Sequence, residues 1–161
     1  MAAPAEKRQA VSVKEVLIPA GAAEQRRLQR LAKEGTIARV ATGVYVQAPD
    51  PDGQALLVRR NWQTILGHLF PGAIVSHLSA IAGGITPSGE VTLTHPTRYN
   101  TSLKLPGLTA VLLKGPENLP GDLPLGDSGL YWASRPRWPL ENLGRSRTDR
   151  PRAGGKAAVE E

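Results

Sequence analysis

Between residues 22 and 34 the chain places Arg26, Arg30 and Lys33 at i, i+4 and i+7. On a helix each residue advances by about 100°, so these three share one side while Leu28, Leu31 and Ala32 form a narrow stripe on the other. Like charges on one face repel, so folding alone does not select the row, whereas a line of phosphates rewards it. Arg27 flanks the row, Arg39 follows on a β-patterned stretch, and Thr42-Gly43 supplies a tight turn behind it. Chemistry of another kind finds little support. His68, His77 and His95 have no second ligand at i+3 or i+4, so neither zinc nor iron is expected. Ser76 beside His77 lacks the Gly-x-Ser-x-Gly elbow of a nucleophile, and helix neighbours do not face each other, which favours a capping Ser76 and a half-buried His77. Gly83-Gly84 has no following Lys-Ser/Thr and reads as a helix stop, not a phosphate loop. No catalytic residue, metal or cofactor is implied, and the chain reads as a binding module, not an enzyme.

A basic helix leading straight into a basic β-hairpin is the ending of a winged helix-turn-helix. There the helix enters the major groove and the wing touches the backbone beside it. The same pattern also suits a solvated amphipathic helix packed against a hairpin.

The elements that must position these residues belong to a chain of 161 residues, enough for one domain or two small units sharing a core. Aromatic residues make up only 4%, so the core must rest on Leu, Ile, Val and Ala. Cysteine is absent, which removes disulfides and thiolate chemistry and fits a reducing cytoplasm. No signal-peptide pattern and no membrane-length apolar run is evident, so a cytoplasmic protein with no membrane partner is expected. The net charge of +6 is concentrated at the two ends, around a near-neutral middle. Basic ends favour polyanions and also aid solubility.

Residues 1–10 read as disordered and residues 11–18 as a short helix stopped by Pro19-Ala20-Gly21. Residues 22–34 form the clearest helix, ended by Gly35, and residues 37–41 and 44–47 form a hairpin. Residues 48–53 read as a loop and a boundary. Val58, Trp62, Ile65, Leu66 and Leu69 then mark one apolar helix face, closed by Phe70-Pro71-Gly72. Ser76 opens a second helix. Residues 90–95 alternate as a strand, residues 108–113 read as a central strand, and residues 129–133 as another. Residues 119–129 are assigned to loop, residues 139–143 to a short helix, and Trp132 and Trp138 to a small aromatic cluster closing the core. The expected organisation is α+β: a winged-helix-like unit at 11–48, a mixed region at 54–144 and a basic tail at 145–161.

The run from Leu28 to Val46, with its helix ending Leu31-Ala32-Lys33-Glu34-Gly35, its basic strand and its Gly43-Val44-Tyr45, resembles the end of the N-terminal domain in AbiEi-family antitoxins. The likeness continues at Ser76-His77-Leu78-Ser79-Ala80, through Val91-Thr92-Leu93-Thr94 and at Pro106-Gly107-Leu108, covering residues 22–115. Such proteins are regulators and antitoxins of bacterial type IV toxin–antitoxin systems whose winged helix binds operator DNA. The resemblance implies a double-stranded operator as partner, a cognate toxin beside it, and DNA-facing roles for Arg26, Arg30, Lys33 and Arg39, with Arg27 and Thr42 adjoining. One departure is the space before the helix: residues 1–21 leave room for a rudimentary first helix at most.

Residues 129–143, together with the Arg-rich run and Ala157-Ala158-Val159-Glu160-Glu161 after them, resemble the junction where an AbiEi-like region precedes a Fic domain. The Fic loop itself is absent, since His95-Pro96 continues Thr97-Arg98-Tyr99 without the Gly-Asn that cradles phosphates. The alternative is therefore a protein-binding segment of a Fic-type AMP-transferring system. Oligomeric state and operator sequence stay open.

Overall fold

The computed structural model describes residues 14–143; the tails assigned to 1–10 and 145–161 lie outside them. Val16–Leu17 is a strand, β1, where the end of a helix was expected. The reason is tertiary: β-branched and bulky residues here gain ladder partners in Val46 and Tyr45, which a lone turn of helix before Pro19 lacks. Helix α1 follows (Ala22–Lys33), and Gly35 at φ 78° ends it in the left-handed conformation that residues other than glycine avoid. Strands β2 (Ala38–Ala41) and β3 (Val44–Val46) close the hairpin around Thr42-Gly43, with a bulge between Arg39 and Ala41. With β1 they form an antiparallel sheet in the order β1-β3-β2.

The presumed loop at 48–53 is shorter than expected, because Pro51 opens helix α2 (Pro51–Arg60). Asp50 caps it, accepting from the Gly53 N–H at 2.7 Å, and Pro51 sits where its missing donor costs nothing. The apolar face expected from Val58 onward is buried, but two helices carry it. Asn61 separates α2 from α3 (Trp62–Leu69) and uses its amide to bond both Leu57 O and Glu15.

Next come β4 (Ile74–Val75), α4 (His77–Ala82), β5 (Glu90–His95), β6 (Thr101–Leu105), β7 (Leu108–Lys114), β8 (Leu123–Pro124), β9 (Tyr131–Trp132) and α5 (Arg137–Leu143). Strands β4 to β9 build a mixed sheet in the order β6-β7-β5-β4-β9-β8; β7, expected to be central, is internal but one place in from the edge, between β6 and β5. The β6 strand was not anticipated, and β8 falls inside the stretch assigned to loop. The fold is α+β.

The layers stack α1, small sheet, α2–α3, large sheet, α4–α5. Val44 and Val46 share the main core with Val58, Trp62, Ile65 and Leu66 and with Val91, Leu93, Ala110 and Leu112 of the large sheet. Tyr45 points the other way, into a smaller cluster with Leu28 and Ile37 under α1. Trp132 meets Trp62 edge to face at 6.3 Å. Trp138 lies instead in the outer cluster of Ile74, Ala80 and Ala133. The expected Trp132–Trp138 pairing is thus replaced, because Tyr131 and Trp132 point to opposite faces of β9.

A buried polar clip fastens α5. Asp122, its side chain fully buried, accepts from the N–H groups of Leu119 and Ser134, both at 2.8 Å, and from Arg137 Nη1 at 2.6 Å. Arg137 also grips Glu141 one turn on, at 2.6 Å. Burial pushes the Asp122 carboxyl up, but the two backbone donors and the Arg137 guanidinium outweigh it and hold the group below its ordinary range.

Candidate nucleic-acid interface

Helix α1 orients the candidate residues. Leu28 is buried and Leu31 and Ala32 pack beside it against Ile37, Tyr45 and Leu17, as the apolar stripe requires. Fixing that stripe inward turns Arg26, Arg30 and Lys33 outward, and all three are exposed. Their neighbours neutralise them poorly. Arg26 Nε folds back onto Ala22 O at 3.3 Å, Arg30 reaches Glu34 only at 4.0 Å on an exposed surface, and Lys33 makes no ion pair among the described residues. The helix dipole favours Arg30 and Lys33 in the last turn, but it gives no reason for Arg26. Arg27 is exposed on the neighbouring flank. With Glu24, Leu28 and Leu31 it lines a shallow cleft of about 310 Å³, away from the main row.

Arg39 stands opposite Tyr45 across the ladder. Cross-strand partners share a face, so Arg39 emerges on the side of the sheet that α1 covers. Gln25 donates to Tyr45 Oη at 3.1 Å and draws its helix flank toward the same strands. Arg39 and the α1 row therefore border one surface. Thr42 is exposed at the hairpin tip.

The unit departs from a full winged helix-turn-helix in two ways. One helix, not two, lies between β1 and β2, and among the described residues no helix precedes α1 to cross the backbone ahead of it. The hairpin also does not project freely. Val44 and Val46 anchor its inner face, and the tip abuts α3, where a Cβ placed on Gly43 would lie 3.9 Å from His68 Nε2.

The Ser76–His77 pair needs correction. Ser76 occupies the N-cap position of α4, yet its hydroxyl caps no backbone group and lies 2.7 Å from His77 Nδ1. The neighbours meet because His77 has φ 54°, outside helical geometry, and both are buried. A cleft of about 360 Å³ elsewhere is lined by His68, Asp127 and Ser128 among others. The Ser128 hydroxyl there is spent on turn bonds to Leu125 O and Leu130 N, so it is poorly placed as a nucleophile. Among the described residues no His, Asp and Glu side chains cluster as a metal site, and no helix is long and apolar enough to cross a membrane.

The Asp122 clip was missed: Asp122 fitted a turn for local reasons, which its bond to Leu119 satisfies, while its Ser134 and Arg137 partners are tertiary. The Arg137–Glu141 spacing of i, i+4 was its one legible signal. Comparison of the chain with family models, with curated proteins and with solved structures finds no match in any of the three.

Proposed function

We propose that this chain is a DNA-binding transcriptional regulator or antitoxin-type module, as its resemblance to AbiEi-family proteins implies. The observation that carries the reading is the row Arg26, Arg30 and Lys33, exposed on the face of α1 directly opposite the buried stripe and bordered by Arg39. The helix dipole accounts for Arg30 and Lys33 but not for Arg26, and a duplex backbone would engage all three. With a single helix between β1 and β2, phosphate contacts carry most of the binding, and strong salt dependence follows.

Fluorescence anisotropy of a labelled duplex over a salt series tests this. About four phosphate contacts from the row and Arg39 give a log–log slope of about −3.6, and Arg30→Ala lowers its magnitude by roughly one unit. Tighter binding to the gene's own upstream region than to scrambled DNA marks a regulator. Absence of binding at low salt would sink the reading.

One observation favours a second reading, docking of a protein such as a Fic-type domain. Leu78 and Ile81 on α4 are more than half exposed, and Leu140 on α5 is 75% exposed. Apolar side chains so placed suit a partner surface.

A further inference from the structure

We infer that two copies of this chain associate through the free edge of β1, joining their small sheets into one antiparallel sheet and setting both basic rows on the same surface. The pairing stands on β1 alone; its consequence for DNA rests on the reading above.

The edge follows from the register. Strand β1 lies at the border of the small sheet, beside β3. Gln47 N donates to Glu15 O at 3.1 Å, and Leu17 lies opposite Tyr45. Along an antiparallel ladder, alternate residues bond the neighbouring strand and those between turn their backbone groups away from it. Val16 is such a residue, so its N–H and C=O point out of the border of the sheet, and no group among the described residues takes them. Space lies in front of them. A cleft of about 370 Å³ is lined by residues 14–18 in succession, with Glu24 of α1 on one wall and Asn61 and Thr64 on the other. Through Leu17 and Glu24 it runs on into the cleft beside Arg27, and through Ile18 and Thr64 into the one beside His68. The result is a groove along a bare strand, flanked by a helix on either side.

A second copy matches this groove in backbone and in charge. Val16 offers one donor and one acceptor, and Val16 of a copy turned about a dyad returns both. A parallel approach fails, because it asks Val16 to bond Glu15 and Leu17 of the second copy, whose groups already face β3. In the dyad register Val16 meets Val16, Glu15 meets Leu17 and Lys14 meets Ile18, so no like charges stand opposite. The charges that remain complement each other. Lys14 is exposed at one end of the edge, and Glu24 is held at the other by accepting from Ala20 N–H at 3.0 Å. Neither makes an ion pair among the described residues. Reversal of the strand brings Lys14 of each copy to the Glu24 end of the other. Blunting against aggregation accounts for Lys14 and Pro19 at the two ends, but not for the groove that leaves Val16 open between them.

The dyad of an antiparallel pair stands normal to the sheet, so neither copy is turned over. Leu17 and Tyr45 face α1 in each, and both α1 helices therefore lie on one side of the joined sheet. Arg26, Arg30 and Lys33 of the two copies then face the same way, as a duplex with two half-sites requires.

Sedimentation equilibrium of the full chain from about 10 μM to about 1 mM covers the range in which so small an interface associates, and the expected species has twice the mass of one chain. Val16→Pro removes only the outward N–H, at an edge position that tolerates proline, and should leave a monomer. Lys14→Glu, which decides the matter should that variant misfold, weakens association about tenfold, and adding Glu24→Lys restores it. A wild type that stays monomeric at about 1 mM overturns the inference and leaves the DNA reading standing. A dimer that ignores both Val16→Pro and Lys14→Glu uses another face and overturns it as well. Anisotropy with a labelled duplex of about two turns separates the two ideas: the wild type loads two copies cooperatively, and Val16→Pro, which changes no charge, loads them independently. A chain that dimerises by these criteria and binds no duplex keeps the pairing and loses the DNA reading.

Discussion

Replacing Arg137 by Met should destabilise the fold by about 3–5 kcal/mol, because it strands the buried Asp122 carboxylate without its cation. Asp122 would keep only the Leu119 and Ser134 N–H groups, and Glu141 would lose the partner that ties it to the clip. Urea unfolding at neutral pH measures the loss; a change under about 0.5 kcal/mol would show that the backbone donors suffice. The pH dependence has a definite sign. The Asp122 pKa is lowered in the folded chain, so its contribution is present above the unfolded value of about 3.9 and is lost as pH falls through the folded value. Without Arg137 the upward push of burial is opposed less, and acid unfolding should begin at higher pH than in the wild type. Asp122→Asn should remove that part of the acid dependence.

Gly67→Ala should destabilise by about 1–3 kcal/mol, although alanine exceeds glycine in helix propensity by about 1 kcal/mol. Gly67 is buried within α3, and a Cβ there would lie 1.8 Å from the Ser128 carbonyl oxygen and 2.8 Å from its carbon. The obstacle is backbone, so no side chain can swing aside. The turn that carries Ser128 is itself pinned by Ser128 Oγ to Leu125 O, by Leu130 N to Ser128 Oγ and by Gly72 N to Gly129 O. Overpacking therefore outweighs propensity. A stabilised variant in urea would mean that the 125–129 turn yields freely and that its bonds add little.

How far the sequence spoke depended on whether the deciding interaction was local. The stripe of Leu28, Leu31 and Ala32, the stop at Gly35, the Thr42-Gly43 turn and a strand at 108–113 were all legible, since each follows from periodicity or a single turn residue. Asp50-Pro51 is an equally local helix entry, but the Pro, Asp and Gly around it match a loop just as well. Strand β1 was opaque because its partner is distant in sequence, Val16 pairing with Val46. Strands β6 and β8 instead pair with nearby strands, Ser102 with Val111 and Leu123 with Trp132, and the Pro106-Gly107 turn that joins β6 to β7 was a local signal left unused. The exposed row on α1 could be read from spacing alone. The free edge of β1 could not, because it depends on the pairing with β3, which sequence spacing does not reveal.

Helix α1 is fastened by its own small cluster of Leu28, Ile37 and Tyr45, separate from the main core that holds β5 and β7. In energetic terms the helix is a peripheral cooperative unit: it can lift while the main core stays closed. Its backbone amides should trade hydrogen for deuterium well before those of the central strands. A duplex bound along it would hold that outer unit shut, so slowed exchange confined to α1 and the hairpin would record the footprint without a labelled residue.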